Sequence, residues 1–522
     1  MSFIEISTNN MSRELRNATT FIDNWAYVPG NTKTGDWKVI YPFTTLQDFQ
    51  DTCGIGSPEG SSTYEYVAGL LNAGIPVLFR RIACTNQDTN SEELGVTKAS
   101  LTLSHHDEDT DSDINDIKIQ EKYGGTFGND LNITIRNTGI AYWLDVYNKY
   151  TLLERKKLIN VATDEDAPAI NTKLIDALKT IQFDRIEIEV LQEEPAKFSL
   201  EPVTAKYLTG GTDFNNDLVV AEIPRSYSFI TDKILYQPKF LTSGGYTDFE
   251  ASGETESAIA EAMLELSLIR QDCRALIDLP IGTAPEDQQT YASAVAYQQL
   301  SDDQPIPSGS VCAPWQYMQV GNSQLWMPPS YVYLTVMGNA LGKGNPCYTP
   351  KAGITTGQIA NIIRPEFEIG SDLAEQWQSD TAVNINPIMK LQGGSYIIAG
   401  NSTILRPEST QGEENAFSES SADLAIIEIR RFVYNLATEL QYQYNSVDAF
   451  ETFALRTSKF LDTMISDGAV TDYNIYNESS DSDPRTLKIR LDVYIAPTIK
   501  NIKINLNVAY GSIEVTTTGG EG

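Results

Sequence analysis

The segment ESAIAEAMLELSLIRQDCRALIDLP, residues 256–280, sets the fold class of the chain. Its first part is amphipathic and predicts a helix, and RALIDLP at 274–280 predicts a buried strand. The same alternation continues on both sides, since KFLTSGG and SVCAPWQYM are typical of strands and PEDQQTYASAVAYQQL and PPSYVYLTVMGNAL of helices. Strands that alternate with helices of this length indicate a small, mainly parallel sheet covered by helices.

A length of 522 residues favours about three or four domains. The pattern of predicted helices and strands also changes along the chain. We predict an α/β and α+β multidomain protein. Its α/β middle domain comprises 20–90 and 209–349, a mostly-β domain at 91–208 is inserted into it, and 350–522 form a C-terminal core domain. The insertion should hold one helix, near INTKLIDALKTI, and the C-terminal domain two long helices over roughly 420–445 and 447–466.

Composition and net charge limit the classes of partner that the protein can bind. Hydrophobic residues make up 41% of the chain and the formal net charge is −32, so we expect a folded, strongly acidic protein. Nucleic acid and anionic lipid both require clustered Lys and Arg, and we expect neither as a partner. No signal peptide or membrane-spanning run is evident, and five cysteines without metal-binding spacing favour reduced thiols.

Candidate chemistry is sparse. SHHDEDTDSD, residues 104–113, holds both histidines, but an EF-hand starting at Asp107 would need Gly at Ser112 and Glu at Lys118, so a solvated turn is the better interpretation. No GxSxG elbow occurs, and we expect no enzyme, metal or cofactor. The alternative is an α/β enzyme with Asp278, at a strand end in LIDLP, in its active site; an aspartate there is also a common helix cap.

Two alternating strands follow near the C-terminus. One face of the first is Leu487, Ile489, Leu491, Val493 and Ile495, and one face of the second is Ile502, Ile504, Leu506 and Val508. An isolated ribbon of two strands is marginal in water, so both must join a sheet. That sheet belongs either to the same chain or partly to a neighbouring subunit, which strand augmentation would link.

Six segments in order resemble the contractile tail sheath proteins. They are YEYVAGLLNAGIPVLFRRI (64–82), YGGTFGNDLNITI (123–135), MPPSYVYLTVMGNALGKGNPCYTPKAG (327–353), GGSYIIAGNSTIL (393–405), IEIRRFVYNLATEL (427–440) and MISDGAVTDYNI (464–475). In the second segment Gly125, Gly128, Asn129 and Asp130 match the family turn motif, while Gly124 stands where proline is usual. The usual Pro-Gly-Val-Tyr start of the family is missing.

The resemblance implies a bacteriophage tail sheath subunit, made in the host cytoplasm and carried in the virion tail. Such subunits stack as hexameric rings around a tail tube and contract to drive the tube through the host envelope for genome ejection. It also implies a core of mixed sheet and helices built from both chain ends, a protruding insertion, and strands exchanged between subunits, with residues 1–19 as a linking arm. The sheath of a bacterial contractile injection system is the alternative.

Partners implied by the resemblance are other copies of the chain, the tail tube protein, and baseplate and tail terminator proteins. The helix that carries Arg430 and Arg431 is a candidate for facing the tube, because a charged face there could contact tube subunits. An internal ion pair within this acidic chain is the alternative role for the two arginines.

Overall fold

The computed structural model of the chain describes residues 24–82, 97–107, 111–161, 166–213, 216–249, 256–298, 305–378, 384–406, 416–444, 447–479 and 485–499. Its first elements are β1 (Ala26–Gly30), β2 (Ile40–Phe43), α1 (Leu46–Cys53), α2 (Thr63–Asn72) and β3 (Val77–Arg81). The side chain of Thr45 accepts a hydrogen bond from the Asp48 amide and so caps the start of α1.

The inserted region consists of two antiparallel sheets and a helix around a core of its own. Its elements are β4 (Ser100–Asp107), β5 (Ser112–Glu121), β6 (Leu131–Asn137), β7 (Ala141–Asn148), β8 (Thr151–Asn160), α3 (Ala167–Thr180), β9 (Ile186–Val190) and β10 (Val203–Tyr207). The sheets have the orders β4-β5-β9 and β10-β6-β7-β8. Alternate residues of β6, namely Leu131, Ile133 and Ile135, point into this core, and α3 falls where the sequence predicts it.

The chain then returns to the α/β region. The elements are α4 (Asn216–Ser226), β11 (Phe240–Leu241), α5 (Ala258–Arg270), β12 (Arg274–Asp278), α6 (Pro285–Val295), β13 (Tyr297–Gln298), β14 (Gly309–Ala313), β15 (Gln316–Val320), β16 (Ser323–Met327), α7 (Pro329–Gly342), α8 (Gly353–Thr356), β17 (Gln358–Ile359), β18 (Ile362–Pro365), α9 (Ser371–Trp377), β19 (Ile385–Lys390), β20 (Tyr396–Ile398) and β21 (Leu405–Arg406). Helices and strands alternate here as the segment at 256–280 predicts.

One nine-stranded sheet of order β17-β20-β19-β14-β12-β11-β1-β3-β2 organises the α/β region. The neighbours from β19 to β3 pair in parallel, and β2, β20 and β17 pair antiparallel at its two ends. The sheet is larger than the sequence predicts because it continues past residue 349, where β17, β19 and β20 extend it. The predicted domain boundaries themselves stay predictions.

Both faces of this sheet are buried, so its strands are apolar without alternation. On β1, Ala26 and Val28 point into one core and Tyr27 into the other. The first core receives apolar side chains of α2 and α7, and the second those of α4, α5 and α6. Helices on both faces of a parallel sheet are the doubly wound arrangement.

The C-terminal elements pack on the first of these cores. They are α10 (Ser420–Leu440), α11 (Val447–Ser466), β22 (Val470–Asn477) and β23 (Ile489–Ile495). The two helices lie where the sequence predicts them, and the rings of Phe432 and Phe460 stack between them with centroids 4.1 Å apart. Among the described residues, no helix is long and apolar enough to cross a membrane.

Candidate functional site

The strands β22 and β23 form an antiparallel ribbon. Its register runs from Val470 opposite Ile495 to Asn477 opposite Ile489, with one irregularity after Val470. The face that carries Ile489, Leu491, Val493 and Ile495 packs on the first core, as does the face of β22 that carries Tyr473 and Ile475. These side chains remain only partly buried. The ribbon therefore has one apolar face, and the described residues cover that face only in part.

Neither long edge of the ribbon pairs with another strand in the described part of the chain, where β22 and β23 form a two-stranded sheet. The outer face is polar and aromatic, because Tyr476 is 40% and Tyr494 52% exposed. The Arg490 guanidinium lies 4.3 Å from the centroid of the Tyr476 ring and 3.1 Å from Glu478. Open edges of this kind are templates for a further strand.

The chain that leaves β23 is held against the start of α10. The Thr498 amide and hydroxyl donate to the Glu419 carboxylate at 3.1 and 2.8 Å, and the Ala496 amide donates to the Ala469 carbonyl at 3.0 Å. Ile499, the last described residue, is 83% exposed. The terminal segment thus departs from a fixed point on the surface.

The predicted linking residues divide between two regions. Leu487 precedes β23, and Ile489, Leu491, Val493 and Ile495 belong to it, whereas Ile502, Ile504, Leu506 and Val508 lie outside the described residues, as do residues 1–19. Sequence reasoning missed β22 as the partner of β23. The segment AVTDYNIY shows only weak alternation, so its pairing could be found only from the three-dimensional arrangement.

The helix α10 uses Arg431 inside the molecule. This side chain is buried, and its guanidinium donates to the carbonyls of Gln237 and Asp272 at 3.1 Å each. Arg430 is half-buried and donates to the Gln271 carbonyl at 3.4 Å; burial lowers the pKa of Arg430. These acceptors are backbone carbonyls, and the buried Asp423 carboxylate acts on Arg430 in the opposite sense, raising the pKa of its guanidinium. A contact of either arginine with a tube subunit stays a prediction.

Asp278 caps a helix. Its carboxylate accepts hydrogen bonds from the Ser330 amide at 2.7 Å and the Ser330 hydroxyl at 2.6 Å, in the first turn of α7. Complete burial raises the pKa of Asp278 to about 7. The cavity beside it has a volume of about 10 Å³, the size of one water at most. This geometry matches the capping role.

The family turn motif lies where the inserted region joins the central sheet. Arg81, at the end of β3, is fully buried and donates to the carbonyls of Tyr123 and Gly124 at 3.0 and 2.9 Å. Asn129 and Gly211 exchange two hydrogen bonds of 2.8 and 2.9 Å. Gly125 has φ +123, and a Cβ there would lie 2.2 Å from the Lys33 carbonyl oxygen.

Two more members of the motif have distinct positions. Gly128 is also crowded, since a Cβ would lie 2.7 Å from that of Ala99, and Asp130 forms an exposed ion pair with Lys149 at 3.0 Å. Arg81 was not singled out from the sequence. The sequence signal that could have identified it is the pair Arg80 and Arg81 at the end of a buried strand, because a buried charge needs hydrogen-bond partners.

The histidines lie on β4. His105 Nδ1 is 2.7 Å from the buried Asp116 carboxylate, and His106 Nδ1 is 3.1 Å from Asp113. Across the described ranges, no group of three or more His, Cys, Asp or Glu side chains could hold a metal ion. Cys53, Cys273, Cys312 and Cys347 are buried free thiols, and Cys84 falls outside the described residues.

Known structures share this architecture. A sheath tail protein from Listeria innocua superposes with a TM-score of 0.61 over 92% of this chain and 93% of its own, at 12% identity. This chain adopts the fold of tail sheath proteins. A second sheath tail protein, from Desulfitobacterium hafniense, superposes with a TM-score of 0.55 over 93% and 96% of the two chains, at 10% identity.

The sheath resemblance seen in the sequence is thereby confirmed at the level of the fold. No family model matches the sequence, and no curated protein matches it. At 10–12% identity the likeness lies in the three-dimensional arrangement, and the scattered motifs are the part of it that the sequence still shows.

Proposed function

We propose that this protein is the sheath subunit of a contractile phage tail, and that it polymerises through strand exchange at the ribbon β22–β23. The observation that carries the proposal is the ribbon itself: within the described residues its two strands have open edges and a partly covered apolar face, on a chain with the tail sheath fold. A strand from a neighbouring copy would pair with an edge and cover the apolar side chains.

Strand exchange suits a contractile polymer. Main-chain hydrogen bonds supply the link, and alternating side chains fix the register. A head-to-tail contact of this type generates a ring where its rotation closes and a helix where it does not. Hexameric rings around a tail tube, a baseplate and terminator at the two ends, and location in the virion tail belong to this proposal, as does drive of the tube for genome ejection.

Contraction in this proposal needs no nucleotide. The energy lies in the difference between two packings of the same subunit surfaces, and a trigger at the baseplate biases that equilibrium. The strand exchange keeps subunits linked while other contacts change. The sheath of a bacterial contractile injection system would use the same geometry, and isolation of the native particle distinguishes the two settings.

The family linking role has a direct test. Two truncations separate the ribbon from the segment beyond it: deletion of 500–522 leaves β23 in place, and deletion of 487–522 removes it. Electron microscopy of purified wild-type protein should show hollow tubes with six-fold rings, and both truncations should abolish them.

Circular dichroism provides the control. The deletion of 500–522 should retain the wild-type spectrum and melting temperature, because the three hydrophobic cores are built from residues before 500. Normal tubes from that variant would show that the terminal segment does not link subunits. Soluble wild-type monomers at high concentration would contradict the sheath role itself.

A further inference from the structure

The sheet β10-β6-β7-β8 presents a basic and aromatic outer face. On this face Arg136, Arg155 and Lys157 lie around Trp143 and Asp145, in a chain whose net charge is −32. Its inner face, formed by Ile133, Leu144 and Val146 among others, is the core of the inserted region, and neither Trp143 nor Tyr147 belongs to that core. The outer face is therefore a separate surface.

A buried carboxylate organises this face. Asp145 is fully buried, and its oxygens lie 2.9 Å from Arg155 Nε and 2.8 Å from an Arg136 amino group. Both guanidinium groups are held over the sheet, although their side chains are 43–44% exposed. Arg136 Nε is buried and has no hydrogen-bond partner within the described residues. Two cations thus share one anion, which leaves an excess of positive charge on this face.

Lys157 adds a third cation in register with these groups. It lies opposite Trp143, with its Nζ 6.0 Å from the ring centroid, and it is exposed. It forms no ion pair in the part of the chain that the structure describes. Trp, Tyr and Arg are the residues that most often dominate protein interfaces.

A complementary acidic surface lies on the α/β region. Residues 281–298 and 366–378 hold six acidic residues and no Lys or Arg. The Glu366 carboxylate accepts a hydrogen bond from the Gly282 amide, which brings the loop before α6 beside the loop before α9. Five exposed carboxylates mark this acidic surface, namely Glu286, Asp287, Glu368, Asp372 and Glu375.

Resting on the sheath function proposed above, we propose that the basic outer face of β10-β6-β7-β8 docks on the acidic α6–α9 surface of a second copy. Charge complementarity selects that occupant, because the basic face lies on a strongly acidic chain whose α6–α9 segments carry exposed carboxylates and no Lys or Arg of their own. A contact between two different surfaces is head-to-tail and propagates in a polymer.

The size of the face sets the strength of the contact. Four strands of about eight residues cover about 500 Å². This is less than the roughly 800 Å² per partner of a stable interface. The contact therefore forms in the polymer, where strand exchange already holds neighbours together, and not between free subunits.

Charge reversal tests the contact. Lys157→Glu should raise the critical concentration for assembly, measured by pelleting at low salt, roughly threefold or more. Lys38→Glu changes the net charge equally at an exposed lysine outside this face and should have no effect. Combining Lys157→Glu with Glu375→Lys should restore part of the loss, and a melting curve for each variant verifies its fold.

Carbodiimide cross-linking identifies the partner. In polymers grown from mixed ¹⁴N and ¹⁵N protein, mixed-isotope cross-links from Lys157 to Glu286, Asp287, Asp372 or Glu375 are expected. Normal assembly of Lys157→Glu, together with wild-type tubes that lack these cross-links, would overturn this inference and leave the sheath function standing. Wild-type protein that forms no tubes would overturn the sheath function and this contact together. Normal assembly with Lys157-dependent binding of dextran sulfate would assign the face to an anionic polysaccharide instead.

Discussion

The central sheet and the terminal ribbon differ in how their apolar faces and strand edges are covered. Strands β1, β3, β12 and β14 are buried along their whole length, with helices on both faces. No residue of β23 is fully buried. Within the described residues, the apolar face of the ribbon β22–β23 is only partly covered, and its two long edges pair with no further strand. The first region holds its own chain together, and the second has hydrogen-bonding capacity left for a neighbour.

A core substitution should produce the largest effect. Phe79 on β3 is fully buried and packs against Phe43 and Phe49, so Phe79→Ala leaves a cavity and should lower the free energy of unfolding by about 3–5 kcal/mol. Denaturant melts measure the loss, and Tyr150→Ala, at a side chain 93% exposed, is the control. An equal effect of the two variants would contradict the division between core and surface.

The junction of the inserted region should be nearly as sensitive. Gly125→Ala places a Cβ against the Lys33 carbonyl and at positive φ, and should cost about 3 kcal/mol. Gly139 also has positive φ, +81, but a Cβ added there would meet no atom within 4 Å, so Gly139→Ala isolates the backbone term and should cost about 1 kcal/mol. Equal melting temperatures for the two variants would show that the close contact between Gly125 and the Lys33 carbonyl does not contribute to stability.

A substitution in the ribbon should reduce assembly more than it reduces the stability of the subunit. Leu491 is partly buried, so Leu491→Ala should lower the free energy of unfolding by only about 1–2 kcal/mol. Assembly should suffer more than folding, because in the proposed strand exchange a neighbour's strand packs on the same face. Pelleting assays beside thermal melts distinguish the two effects; a variant that melts lower yet assembles as wild type would place the linking contact elsewhere.

The smallest expected effect is a pH dependence from Asp278. The unfolded carboxyl loses its proton near its ordinary pKa of 3.8 and the folded one near 7, so between these values the folded chain binds more protons. Stability from this group therefore falls as pH rises, by about 1 kcal/mol between pH 6 and pH 7.5. Thermal melts should show a reduced slope for Asp278→Asn, and an unchanged slope would assign the dependence to other groups.

Local patterns account for much of what the sequence predicts correctly. Amphipathic spacing locates α5, α10 and α11, and the apolar run at 274–280 locates β12, because helices and buried strands are specified by short-range periodicity. The role of Arg81 could not be predicted, since its acceptors at Tyr123 and Gly124 are some forty residues away and approach only in the folded chain.

The sequence by itself therefore determined the α/β alternation, the β-rich character of the stretch from β4 to β10, the strongly acidic charge and the alternation that requires β23 to join a sheet. Tertiary structure alone decided that β22 is the partner of β23, that Asp278 caps α7, and that Arg431 is used inside the molecule. The reason is physical: periodicity is written within one turn or strand, whereas pairing, capping and burial depend on residues brought together across the chain.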